Sequence, residues 1–136
     1  MNDSKSLGVL ATLRETTALL AGLDLAALPE ITAVVVHWET VDTLGARVQL
    51  SSGLRTDLDS IDAIRTWAVA VGGVVLLGDP HYSTYRRSGY RQLSALVRMP
   101  SGSLFEVWDH LHDLTPSPGW APVGPGVTAV PLEFVA

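Results

Sequence analysis

A chain of 136 residues with 47% hydrophobic side chains is sized for one domain with a core of its own. Its formal net charge of −5 opposes broad nucleic-acid binding, because a polyanion is drawn to clustered positive charge and repelled by a net negative surface. The absence of cysteine excludes a disulfide framework, a thiol nucleophile and thiolate metal sites, and it fits a reducing, cytoplasmic setting.

In the opening segment Arg14 and Glu15 interrupt the apolar residues before a signal or spanning stretch can form, so neither export nor membrane insertion is indicated. Leu7, Leu10, Leu13, Thr17 and Leu20 recur at three- and four-residue spacing, which predicts a helix from Ser6 as N-cap to a stop at Gly22. Asp24 to Leu28 adds a further turn before Pro29 sends the chain into an extended segment.

Ile31 to Thr40 and Ala46 to Ser51 alternate with period two and predict a strand pair joined through Asp42 and Gly45. A second helix follows, with Leu58, Ile61, Ile64, Trp67, Ala68 and Val71 as its apolar stripe, Asp57, Asp59 and Asp62 near its positive end and Gly72-Gly73 closing it. Its Ile61, Ile64, Trp67 and Val71 are expected against the sheet face that carries Val34, Val36, Val48 and Leu50. Three strand signals come next, Val74 to Leu77, Tyr90 to Met99 with Leu93, Ala95 and Val97 inward, and Leu104 to His110, which read as an antiparallel meander. Trp38, Trp67 and Trp108 are read as core.

The fold class is therefore α+β, with an antiparallel sheet of about five strands, two helices on one of its faces and the order α-β-β-α-β-β-β. Residues 1–114 form this domain, and residues 115–136 form a Pro/Gly-rich extended tail holding Pro116, Pro118, Pro122, Pro125 and Pro131. Val127, Val130, Leu132, Phe134 and Val135 are too apolar to be left in water. They dock on the same chain with Trp120 as an anchor, or on a second copy. The reach of the proline segment favours exchange and hence a homodimer.

Residues 81–91 (HYSTYRRSGYR) hold every tyrosine of the chain and no aliphatic side chain. Tyr82, Tyr85, Arg86, Arg87, Tyr90 and Arg91, with Trp120 and Phe134 from the tail, are the candidate partner-binding residues, since tyrosine and arginine supply flat contact area, stacking and forked hydrogen bonds. The same composition also suits an exposed hairpin whose tyrosines lie over the sheet edge. Asp79-Pro80-His81 offers a carboxylate and an imidazole for acid/base work, or an ordinary turn. His110 and His112 form an H-x-H pair that would hold a metal if His37 or His81 supplied a third ligand, and that otherwise is a polar strand end. No nucleophile elbow, zinc-protease or phosphate-loop motif is present, and no cofactor is implied.

YRQLSALVRMPSGSLFEVWDHL, together with ITAVVVHW and ARVQL, resembles the small proteins encoded by short open reading frames of high-GC actinobacteria and their phages or integrative elements. The resemblance spans roughly residues 30 to 112, rests on strand texture and an Ala/Val/Arg-rich style, and implies no catalytic residue. The expected function is non-enzymatic: protein association, as self-assembly or in an accessory or regulatory role. Nucleic-acid contact through residues 81–91 and a small metal-dependent or acid/base enzyme using His81, His110 and His112 are the alternatives.

Overall fold

The structure, a computed structural model, describes residues 3–50, 56–82, 89–112, 116 and 119–132. Its first helix, α1 (Asp3–Ala21), starts a few residues earlier than the spacing predicts and ends where Gly22 donates its N–H to the carbonyls of Ala18 and Leu19. A 3-10 turn (Leu25–Ala27) leads to Pro29 and to strands β1 (Ile31–Trp38) and β2 (Leu44–Leu50). Helix α2 (Asp57–Val71) opens on a capping box, in which the Thr56 hydroxyl accepts from the Asp59 N–H and the Asp59 carboxylate accepts from the Thr56 N–H. It closes on Gly72 in the left-handed region, φ 72°. Strands β3 (Val74–Tyr82), β4 (Gly89–Arg98), β5 (Leu104–Leu111), β6 (Ala121–Gly124) and β7 (Val127–Val130) complete the chain.

The α+β class holds, but the sheet is larger than expected and mixed. Among the described residues it has seven strands, in the order β1-β2-β5-β4-β3-β7-β6. The β1–β2 hairpin and the β3–β4–β5 meander are antiparallel as expected, while β2 and β5 meet in parallel, Arg47 opposite Glu106 and Gln49 opposite Trp108. That pairing arises because α2 carries the chain across to β3 and the meander then runs back to β2. The remaining two strands come from the proline-rich tail. Val127–Val130 is free of proline and pairs with β3, while Pro122 sits in β6 at the sheet edge, where a missing N–H breaks no ladder. Val127–Val130 of the tail thus docks on its own chain, with Thr128 and Val130 buried and Trp120 packed against the core, while Phe134 and Val135 lie outside the described residues. Gly126, at φ 70°, makes the turn possible, since a Cβ there would collide with the Asp79 carboxylate.

Strand parity divides the sheet into two faces. Ala46, Val48, Leu50, Val75, Leu77, Leu93, Ala95, Phe105, Val107 and Val130 point to the face beneath the helices and form the core with Ala63, Ile64, Trp67 and Ala68 of α2. Helix α2 lies over β3, β4 and β5, and α1 lies over β1 and β2. The face that carries Val36, Val48 and Leu50 is the covered one as expected, and Val48 and Leu50 share a core with Ile64 and Trp67; directly over β1 and β2, however, lies α1, whose Gly8 sits near Leu44 and Trp38, and Val34 remains 38% exposed. Trp67 is 1% exposed, and its indole N–H donates to the Pro29 carbonyl at 3.0 Å, tying α2 to the segment that enters β1.

Candidate binding face

The opposite parity class projects from the face that no described helix covers. Arg47 and Gln49 of β2, Glu106, Trp108 and His110 of β5, Tyr90, Gln92 and Ser94 of β4, and His81 of β3 all belong to it, as the register Arg47↔Glu106, Gln49↔Trp108, Gln92↔His110, Ser94↔Trp108 and His81↔Tyr90 shows. Trp108 is therefore not core. Phe105, Val107 and Leu111 take the buried positions of β5, and Trp108, one step out of phase with them, faces outward.

These side chains form a row across four strands. The Arg47 guanidinium lies 5.3 Å from the Trp108 ring, Trp108 is 5.0 Å from His110, His110 is 4.2 Å from Tyr90, and Tyr90 is 5.5 Å from His81. Arg47 is held from beside: its Nε donates to Glu106 Oε1 at 2.9 Å and its Nη2 to Gln92 Oε1 at 2.9 Å. Gln92 in turn donates to Glu106 Oε1 and Ser94 Oγ, each at 3.3 Å. The face consequently carries fixed, neutralised charge and flat aromatic surface. Two shallow hollows flank the row, one of about 250 Å³ bordered by Ala33, Val35, His37, Arg47, Gln49 and Trp108, and one of about 290 Å³ that reaches Leu76, His81 and Val127.

Burial lowers the His110 pKa below its ordinary value of 6.5, with His112, His81 and Arg47 adding to the effect and Asp109 opposing it. A histidine depressed in the folded state binds its proton more readily when unfolded. Its contribution to stability is whole above pH 6.5 and is lost as the pH falls through the folded pKa. Thermal unfolding between pH 7.5 and 5 should therefore show a decline that is shallower in His110→Gln; an identical slope in the two proteins would remove His110 as a contributor.

The residues singled out from the sequence are separated by the fold. Tyr90 and His81 join the row, and Tyr82 ends β3 with its backbone paired to Gly89. Tyr85, Arg86, Arg87 and Phe134 lie outside the described residues. Arg91 is not part of an exposed basic loop. It is 7% exposed on the helix-covered side and donates from Nε to the Gly78 carbonyl at 2.6 Å, beside the irregularity between Leu77 and Pro80. Arg91→Ala should thus destabilise the fold by about 1 to 3 kcal/mol in denaturant titrations, the cost of stripping a buried polar partner, where a surface arginine would cost little. Trp120 serves as an anchor of the tail.

Asp79 and His81 do not form an acid/base pair on one face, since Asp79 packs against Gly126 while His81 stacks on Tyr90. His110 lies within β5 and His112 just beyond it, its N–H donating to both Asp57 carboxylate oxygens. His37 stands 3.2 Å from Glu39, and Tyr90 separates His81 from His110. Among the described residues no group of three or more His, Cys, Asp or Glu side chains is placed to hold a metal ion. Arg47, Gln92, Glu106 and Trp108 were not among the candidate residues; the signal that finds them is the alternation of ARVQL, YRQLSAL and LFEVWDHL, which sets the polar and aromatic residues opposite the core.

Fold and face together define a two-layer α+β protein with an aromatic sheet surface that no described helix covers. The chain matches no family model, no curated protein and no solved structure in comparisons with known proteins. No described helix is long and apolar enough to cross a membrane.

Proposed function

We propose that the protein acts by association with another protein, in the cytoplasm, through the uncovered face of its sheet. The observation that carries this reading is the continuous row Arg47, Trp108, His110, Tyr90 and His81. Trp, Tyr and Arg are the side chains that dominate protein interfaces, Trp and Tyr because each covers a large area with few rotors to immobilise and Arg because its planar fork stacks and makes paired hydrogen bonds. Here they are also braced, Arg47 by Glu106 and Gln92, so little ordering remains to be done on binding. A nucleic-acid strand is served less well, since the face's Arg47 is already paired with Glu106 and Arg91 points to the other side of the sheet.

The combined variant Tyr90→Ala/Trp108→Ala should fold, with a loss on the order of 1 kcal/mol per site because neither ring belongs to the buried core. It should lose a complex that the wild-type chain keeps through size-exclusion chromatography of native-host extracts. A complex that survives the substitutions, or salt-sensitive retention of the wild type on single-stranded oligonucleotides in place of a protein complex, would overturn the proposal.

A further inference from the structure

The two ends of the sheet are built differently. At one end β6 is four residues long, contains Pro122 and is exposed throughout, a poor template for a further strand. At the other end β1 offers eight residues, ITAVVVHW, with no proline, lysine, arginine or acid, and leaves Val34 and Val35 exposed at 38% and 54%. Among the described residues its outer backbone edge has no strand beside it in the sheet order. The helix over this edge is unfinished as well: Leu7, Leu10 and Leu13 of α1 are exposed at 63%, 41% and 45%. Glu15 bonds Ser101 in the β4–β5 turn, toward the middle of the sheet. At about 100° per residue Leu10 and Leu13 lie on the flank of α1 opposite Glu15, the flank toward the free edge.

From this coincidence we infer that a second copy of the chain pairs with β1, antiparallel and across a two-fold axis at Val35, so that two sheets become one and the α1 helices meet above the seam. The pairing with β2 is regular from Ala33 to Trp38, after a shift between Ile31 and Ala33, and Val35 is one of the two central residues of that stretch. The axis there sets Val35 against Val35, Val34 against Val36 and Ala33 against His37, with no like charges opposed. Strands are spaced about 4.8 Å apart, so a helix seated over β1 and β2 lies roughly 5 Å from the axis and about 10 Å from its mate, the separation of packed helices. An isolated peptide strand would cover the edge and leave the leucines in water. A second copy covers both, and the interface is self-complementary as two-fold symmetry requires. Val35 borders the hollow beside Arg47 and Trp108, but the seam is made by the outer edge of β1 and by α1 and does not need the aromatic row to have a partner.

The chain contains no cysteine, so a single introduced thiol reports proximity without background. The full-length wild type should sediment as a dimer at high micromolar concentration. Val35→Cys should form a disulfide-linked dimer under mild oxidation, well ahead of Val69→Cys on the exposed side of α2. Leu10→Glu/Leu13→Glu should give a monomer whose thermal unfolding is still cooperative. A monomeric wild type, equal cross-linking from positions 35 and 69, or a dimer indifferent to the glutamates would each overturn the inference; Val35→Cys, being exposed, reports on the edge even if the glutamate variant fails to fold.

Discussion

Replacing Trp67 by alanine should lower the unfolding free energy by about 3 to 5 kcal/mol, a large share of the stability of a domain this size. The ring is 1% exposed and is the largest fully buried side chain, lying in the core between α2 and the sheet. Its removal leaves a cavity that Phe105, Ile64 and the flanking strands cannot all move to fill, because each is packed on other sides. The substitution also deprives the Pro29 carbonyl of its indole donor and loosens the link between α2 and the entry to β1. Urea titration of the two proteins measures the loss directly. A cost below about 1 kcal/mol, as at a surface site, would show that α2 is not seated as described.

Ending the chain at residue 118 should destabilise it by at least about 3 kcal/mol, the worth of a buried valine and of the hydrogen bonds lost with it. Strand β7 is interior to the sheet, with β3 on one side and β6 on the other, and its loss uncovers Val75 and Leu77, now paired with Val130 and Thr128. Arg65, only 9% exposed in α2, loses the Pro131 carbonyl that accepts from its Nε at 2.8 Å. The truncated chain should also unfold with a smaller dependence on denaturant, since less surface is buried in its folded state. Unchanged midpoint and slope would mean that the tail is an accessory and not a layer of the core.

How far the sequence could be read follows from the reach of each signal. Periodicity places β1, β2, α2, β4 and β5 within a few residues, because the buried positions of the last four recur at two or at three to four, and β1 is a proline-free apolar run that starts two residues after Pro29. It cannot say which strands meet after a helix has intervened, and the parallel contact of β2 with β5 is of that kind. The proline density of residues 116–131 reads as a tail because proline is excluded from central strands, yet the four-residue run VTAV is proline-free and long enough to pair. Arg91 stands in a run without aliphatics, which suggests exposure; only the irregularity in β3 that brings the Gly78 carbonyl within reach makes its burial tolerable. The candidate face is half legible. Parity alone sets Arg47, Gln49, Glu106 and His110 opposite the core, but the size of Trp108 argues for burial until Phe105 and Val107 are seen to occupy those places.

The proposal that the uncovered sheet is a protein-binding surface is tested most directly by site-specific photocross-linking in the native host, with the reactive side chain at Gln49, an exposed member of the open face, and a control at Val69 on α2. The proposal predicts a discrete protein adduct from position 49 that disappears when Trp108→Ala is added and that position 69 does not give. Adducts of equal yield from both positions, or an adduct from position 49 that nuclease digestion removes, would contradict it.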